Sequence, residues 1–232
     1  MVWQSLLDID KQLLLALNGD GGAGWDTFFY IVSARLTWVP LYAAILYAVW
    51  KQWGWRRLLW VAVVLGLCVG AADQICNFFK HFTPKFRPTH TPDIEAFVHT
   101  VRGYRGGLYG TVSAHAAISF AIALFTARLF RKRWYTVAIF GWALLLAYSR
   151  IYLGVHYPMD ILLGTALGLG LGAGAFALFG CSTGEQKADE PKADEPKAES
   201  HEAVELQLFA ANSLSKAMDA VQELYTQDHD WV

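Results

Sequence analysis

The chain has 232 residues, of which 55% are apolar, 15% aromatic and only 17% charged, against the roughly one-quarter charged residues of ordinary soluble domains. Its 19 basic and 20 acidic residues nearly cancel, but up to Gly180 there are 15 Lys and Arg against 8 Asp and Glu, and beyond it 4 against 12. That split excludes one uniform globular body, and the length of the apolar runs around the basic residues excludes a nucleic-acid binder.

Residues 1–24 are expected to form an N-terminal amphipathic helix. Leu6, Ile9, Leu13 and Leu17 recur at helical spacing, and Asn18-Gly19 supplies the stop. The segment has no basic leader and carries Asp8 and Asp10, so it is expected to lie along a membrane surface or pack on a bundle, not to be removed as a signal peptide.

Residues 25–180 are expected to form the transmembrane domain, an all-α helical bundle of about five spans. The first runs from Trp25 to Trp50, with Arg35 and Pro40 leaving its straightness open. The second runs from Leu58 to about Phe79, interrupted by Asp73; the third from about His115 to Phe130; the fourth from Trp134 to about Tyr148. The fifth, residues 161–180, has twenty residues without a charge, about the length needed to cross a bilayer. Its Gly164, Gly168 and Gly172 fall four apart, a face that another helix can approach closely. Cys68 and Cys76 are eight apart in one apolar run, about 12 Å along a helix, and with Cys181 they give no disulfide framework.

Lys51, Arg56 and Arg57 lie between spans one and two, and Arg128, Arg131, Lys132 and Arg133 between spans three and four. The excess of positive charge assigns both loops to the cytoplasm, which puts the segments 80–114 and 150–159 on the outer face. Residues 181–200, with KADEP twice in succession, read as a disordered charged linker. Residues 201–232 read as a cytoplasmic amphipathic helical tail, more acidic than basic, suited to docking a protein partner.

Ionisable residues near a bilayer are either hidden or used, and here three groups gather at the outer ends of the spans. The first holds Lys80, Arg87 and Pro88, the second Ser113 and His115, the third Ser149, Arg150, His156 and Asp160. Lys80, Arg87 and Arg150 suit a dianionic phosphate, with guanidinium forks matching its oxygens. Ser113 can cap a helix and offer backbone N–H groups to the same anion. His156 and Asp160, four apart, are neighbours on a helical face, so the carboxylate can fix one imidazole tautomer and free the other nitrogen as a nucleophile. His115 remains as the general acid. No set of carboxylates or thiols suited to a metal stands among them, and no cofactor is called for.

These three elements in this order resemble the type 2 phosphatidic acid phosphatase family, the lipid phosphate phosphatases. The family pattern is Lys, six residues, Arg-Pro; then Pro-Ser-Gly-His; then Ser-Arg, five residues, His, three residues, Asp. Lys80, Arg87 and Pro88 match the first element, and Ser149, Arg150, His156 and Asp160 the third. In the second, Ser113 and His115 match while Val112 and Ala114 stand for proline and glycine; alanine disfavours the positive φ that glycine tolerates. The resemblance covers roughly residues 25–180. It implies metal-independent hydrolysis in two steps, in which His156 attacks phosphorus, His115 protonates the leaving group and then activates water, Asp160 orients His156, and Lys80, Arg87, Ser113 and Arg150 bind the phosphoryl oxygens.

Other polar residues take plainer readings. Lys85, Arg102 and Arg105 read as snorkelling interface anchors, and His81, His90, His99, His201 and His229 as hydrogen-bonded imidazoles. Asp73 stands two turns before Lys80 with Asn77 between them, about 11 Å away in a straight helix, so a structural polar contact is expected there. The expected function is an integral-membrane phosphatase acting on a lipid phosphomonoester or diphosphate at the outer face. A polyprenyl diphosphate such as the undecaprenyl carrier is the first substrate choice, with phosphatidic acid, phosphatidylglycerophosphate and lipid A open. The alternatives are a lipid phosphotransferase with the same intermediate, and a non-enzymatic transporter or scaffold.

Overall fold

Residues 2–183 are described by the computed structural model, within a unit spanning Met1–Lys187. The tail expected at 201–232, and all but the start of the linker expected at 181–200, lie outside the described residues. Within them the regular elements are helical: α1 (Val2–Leu17), α2 (Ala23–Ser33), α3 (Val39–Phe82), α4 (Ala114–Phe130), α5 (Arg133–Tyr152) and α6 (Pro158–Thr183).

α3 is two arms. Gly54 sits at φ 79°, ψ 177°, a conformation closed to L side chains, and breaks the helix there. Tyr42, Ile45 and Leu46 of the first arm line the same cavity as Ala62, Leu65 and Val69 of the second, so the chain doubles back at the glycine. With α4, α5 and α6 this makes five apolar arms, the number the sequence predicts. The first differs from its expected course. The stretch from Trp25 to Trp50 is not one helix, because Ala34 is extended (φ −75°, ψ 132°) and a 3-10 turn follows at Arg35–Trp38. The Thr37 hydroxyl and the Trp38 indole donate to the carbonyls of Ile31 and Val32 at 2.6 and 2.7 Å, satisfying the end of α2. Pro40 falls in the first turn of α3, where its missing N–H costs nothing, so it starts a helix instead of kinking one.

α4 is the central helix, buried on nearly every side from Ala116 to Ala127. Its Ser119 and Thr126 hydroxyls donate to carbonyls one turn back, so the polar groups enter the core satisfied. The three glycines of α6 pack on it as expected. A Cβ at Gly164, Gly168 or Gly172 would stand 2.5, 2.3 or 2.7 Å from the carbonyl oxygens of Ser113, Ala117 and Ala121, so only glycine permits this approach. Cys68 and Cys76 are buried free thiols.

The three motif groups meet at one end, where Arg87 donates to the Val155 carbonyl and Ser113 N to that of Asp160, and the basic turns, at Gly54 and between α4 and α5, meet at the other, where the Trp53 and Phe130 rings stack. Over the motif end the segment 83–113 folds back on itself through an isolated bridge between Phe86 and Tyr109 and a bond from Gly110 N to the Lys85 carbonyl at 2.9 Å. α1 also lies at this end. Its Leu6, Ile9, Leu13 and Leu17 point away from the protein, while Asp10, Leu14 and Asn18 face inward and are buried. Asn18 clamps the helix in place: its amide donates to the carbonyls of Ile151 (3.0 Å) and Tyr152 (2.7 Å), and its oxygen accepts from His99 N (2.7 Å).

Candidate active site

His156 occupies the short turn between α5 and α6. That turn requires Gly154 at φ 67°, where a Cβ would come 2.4 Å from the Val98 side chain. Pro158 then opens α6 and carries Asp160 in its first turn, so the carboxylate returns to the histidine one turn earlier. Asp160 Oδ2 lies 3.3 Å from His156 Nδ1 and accepts the Tyr157 N–H at 3.1 Å. Both side chains are buried. The carboxylate assigns the proton to Nδ1, leaving the Nε2 lone pair free. Burial holds the His156 pKa well below the usual imidazole value, and the positive charges of Arg87, Arg150, Lys80 and Lys85 push it the same way. The ring is therefore neutral at pH 7, as a nucleophile requires.

The cations converge from separate elements. Arg87, in the segment after α3, is held by the carbonyls of Tyr109 (3.0 Å from Nε) and Val155 (3.2 Å from Nη1). Arg150, in the last turn of α5, donates to Ser33 Oγ and reaches the Tyr104 hydroxyl at 3.5 Å, while its buried Nε has no hydrogen-bond partner. A buried guanidinium N–H without an acceptor is costly unless a ligand supplies one. Burial alone would raise the Tyr104 phenol, yet Arg150, Arg87 and Arg35 together draw it below its ordinary value, a measure of the positive field at this end of the bundle. Lys80, in the last turn of α3, donates to Asn77 Oδ1 at 3.2 Å, and Asn77 donates to Asp73 at 3.0 Å. Asn77 thus bridges the two turns that separate Asp73 from Lys80.

Ser113 is the N-cap of α4, its hydroxyl accepting from Ala116 N at 3.5 Å while its own N–H donates to the Asp160 carbonyl at 3.1 Å. Ala114 is the first helical residue and does not adopt a positive φ, so the position is met by alanine without strain. His115 follows it, within electrostatic reach of His156 and Arg150. A cavity of about 660 Å³ begins at His115, Arg35 and Ser33 and continues between the two arms of α3, α4 and α5, walled by Tyr42, Ile45, Leu65, Val69 and Ile118.

All seven residues expected to form the site therefore stand at one end of the bundle, and two more join them that the sequence did not single out. Lys85, read as an interface anchor, instead donates to Asp160 Oδ1 at 3.1 Å and to Asp10 Oδ2 at 3.1 Å. Gly110 leaves the room above the ring: a Cβ there would lie 3.3 Å from His156 Cε1 and 3.2 Å from Arg87. Arg105 and Arg102 are loop ties, the first paired with Glu95 at 2.6 Å and the second over the Tyr30 ring. His90 and His99 are hydrogen-bonded to Thr89 and Asp26. Among the described residues one trio, Asp20, Asp26 and His99, offers metal-ligating atoms within 4.8 Å of one another, and none of the three is a motif residue.

A buried histidine–carboxylate pair with cations around it, at the end of an apolar helical bundle, suits the class that the family match and the relatives show, a membrane phosphatase acting on lipid phosphates. Residues 58–182 match the PAP2 superfamily, and the chain belongs to it. It is 42% identical over 165 residues to the lipid A 4'-phosphatase of Bacteroides thetaiotaomicron, covering 70% of this chain and 73% of that one. It is also 42% identical to the lipid A 4'-phosphatase of Porphyromonas gingivalis, over 72% and 71% of the two chains. A putative undecaprenyl-diphosphatase of Escherichia coli is 27% identical over 60% and 66%. The fold is shared with the crystal structure of a PAP2-type phosphatidylglycerolphosphate phosphatase from Bacillus subtilis, with a TM-score of 0.58 at 19% identity, covering 78% of this chain and 90% of that one.

Proposed function

We propose that the protein removes a phosphomonoester group from a lipid A-type glycolipid at the outer membrane face, through a phosphohistidine on His156. The observation that carries this is the His156–Asp160 pair: a neutral buried imidazole with its Nδ1 proton directed at a carboxylate, surrounded by Lys80, Arg87 and Arg150. The phosphoryl oxygens accept from those three cations and from the N-terminus of α4 at Ser113, and one of them satisfies the buried Arg150 Nε. The dianionic phosphate offsets the surrounding cations and lets His115 bind a proton; His156 Nε2 attacks phosphorus, the bond to the ester oxygen breaks, and protonated His115 gives that oxygen its proton. Neutral His115 then takes a proton from water, whose oxygen attacks the phosphohistidine and releases inorganic phosphate. The apolar cavity that begins at His115 suits a lipid chain descending from the reacting group.

Two relatives at 42% identity bearing the lipid A 4'-phosphatase name favour the glycolipid over the polyprenyl diphosphate chosen from sequence. The polyprenyl diphosphate is the second reading, supported by the Escherichia coli relative. The test is phosphate release by the purified full chain from a panel of lipid A, undecaprenyl diphosphate and phosphatidic acid. His156→Ala is expected to abolish release, and His115→Ala to lower it about 10²–10⁴-fold, the usual weight of a general acid. Full activity of His156→Ala overturns the mechanism, and faster turnover of the diphosphate than of lipid A overturns the substrate assignment. Phosphate recovered on a lipid acceptor instead of in solution makes the protein a phosphotransferase.

A further inference from the structure

We propose that Asp10 and Lys85 are positioning residues for His156, acting through Asp160, and that helix α1 is thereby a working part of the catalytic centre. The inference rests on His156 being the nucleophile. Asp10 is 5% exposed and projects from the inward face of α1. Its Oδ1 accepts the Met159 N–H at 2.9 Å, one of the free donors in the first turn of α6, and its Oδ2 accepts Lys85 Nζ at 3.1 Å. The same ammonium donates to Asp160 Oδ1 at 3.1 Å and stands 4.1 Å from the centre of the Tyr157 ring.

The two oxygens of Asp160 are thus divided. Oδ1 belongs to Lys85, while Oδ2 belongs to His156 Nδ1 and Tyr157 N. A carboxylate held at both oxygens cannot rotate, so the line from Oδ2 to Nδ1 fixes the imidazole plane and the direction of Nε2. Charge gives the same answer. Asp10 and Asp160 are both buried and share one ammonium, and loss of Lys85 leaves two carboxylates in a dry site without their common partner. Buried ion pairs are weak sources of stability, so a pair kept beside a nucleophile is better explained by the geometry that it imposes.

α1 is held at its C-terminal end by Asn18 and packed through Leu14, and Asp10 is the buried charge on that same inward face. Its apolar stripe of Leu6, Ile9, Leu13 and Leu17 faces outward, and the face it turns to the bundle is Asp10, Leu14 and Asn18.

The test uses the full chain in detergent with a lipid phosphate, comparing Lys85→Met, Asp10→Asn, the double variant and Lys85→Arg. Lys85→Met and Asp10→Asn are each expected to lower kcat about 10–100-fold, the scale of a slightly misplaced reacting group. KM and the inhibition constant of inorganic phosphate should stay within about twofold, because the phosphate-binding cations are untouched. The double variant should be no slower than Lys85→Met alone, since Asp10 acts through Lys85. Lys85→Arg, which keeps the charge, should recover most of the loss. Wild-type kcat in folded Lys85→Met, a loss falling on KM and phosphate binding, or additive single losses overturns the proposal. Asp10→Asn is nearly isosteric and keeps the test open if Lys85→Met does not fold. His156→Ala separates the two ideas: if it is inactive while Lys85→Met is fully active, only the positioning role fails.

Discussion

A neutral imidazole in a cationic enclosure ties the stability of the protein to pH with a definite sign. His156 is held well below the ordinary imidazole pKa by burial, then by Arg87, Arg150, Lys80 and Lys85, whereas in the unfolded chain it titrates near 6.5. Below about pH 6.5 the unfolded state therefore binds a proton that the folded state refuses. Stability is full above that pH and falls as the pH drops toward the folded pKa, at up to about 1.4 kcal/mol per pH unit for one proton. The thermal midpoint in detergent is expected to fall between pH 7.5 and pH 5, and His156→Gln should flatten that fall. An unchanged slope in the variant would assign the acid sensitivity to other groups. At the same scale the sequence was most and least legible. The seven motif residues could be recognised because fixed short spacings carry their chemistry. Lys85 could not, because its partners Asp10 and Asp160 each lie 75 residues away and nothing local distinguishes it from an interface anchor.

Among the elements, α6 carries the sharpest contrast. Gly164, Gly168 and Gly172 touch α4, but Gly170 and Gly174, on other faces of the same helix, have nothing within 4 Å of an added Cβ. Gly168→Ala would force a methyl to 2.3 Å from the Ala117 carbonyl oxygen, and rigid backbone cannot yield as a side chain can. It should lower the thermal midpoint by several degrees and reduce activity, since the same contact line runs up to Ser113 at the site. Gly170→Ala should be neutral or stabilising, because alanine is the better helix former by up to about 1 kcal/mol. Equal effects of the two substitutions would contradict the packing. The glycine spacing announced this face in the sequence. The fold of the first arm was only half announced: Arg35 and Pro40 marked an irregularity, but the break at Ala34 depends on Thr37 and Trp38 folding back onto the end of α2, which no local propensity reports.

Across the whole molecule the charge division takes on a physical meaning. The basic turns at Gly54 and between α4 and α5 stand at one end and Lys80, Arg87 and Arg150 at the other, so the first set suits orientation in the membrane and the second suits the phosphate binding proposed for it. Every residue assigned to the site lies between Asp10 and Asp160, and the PAP2 match ends at residue 182. A chain ending at Ser182 should therefore keep its kcat and KM for a lipid phosphate in detergent within about twofold, because no group that touches the phosphate or holds His156 has been removed. Its net charge would rise by the whole acidic excess of the tail, 12 acidic against 4 basic residues, so binding to anionic bilayers should strengthen and become more salt-sensitive. Phosphate release in micelles of neutral detergent separates these effects from catalysis. A truncated, folded protein that is inactive in such micelles would make the tail a regulator of the site, acting through more than its charge.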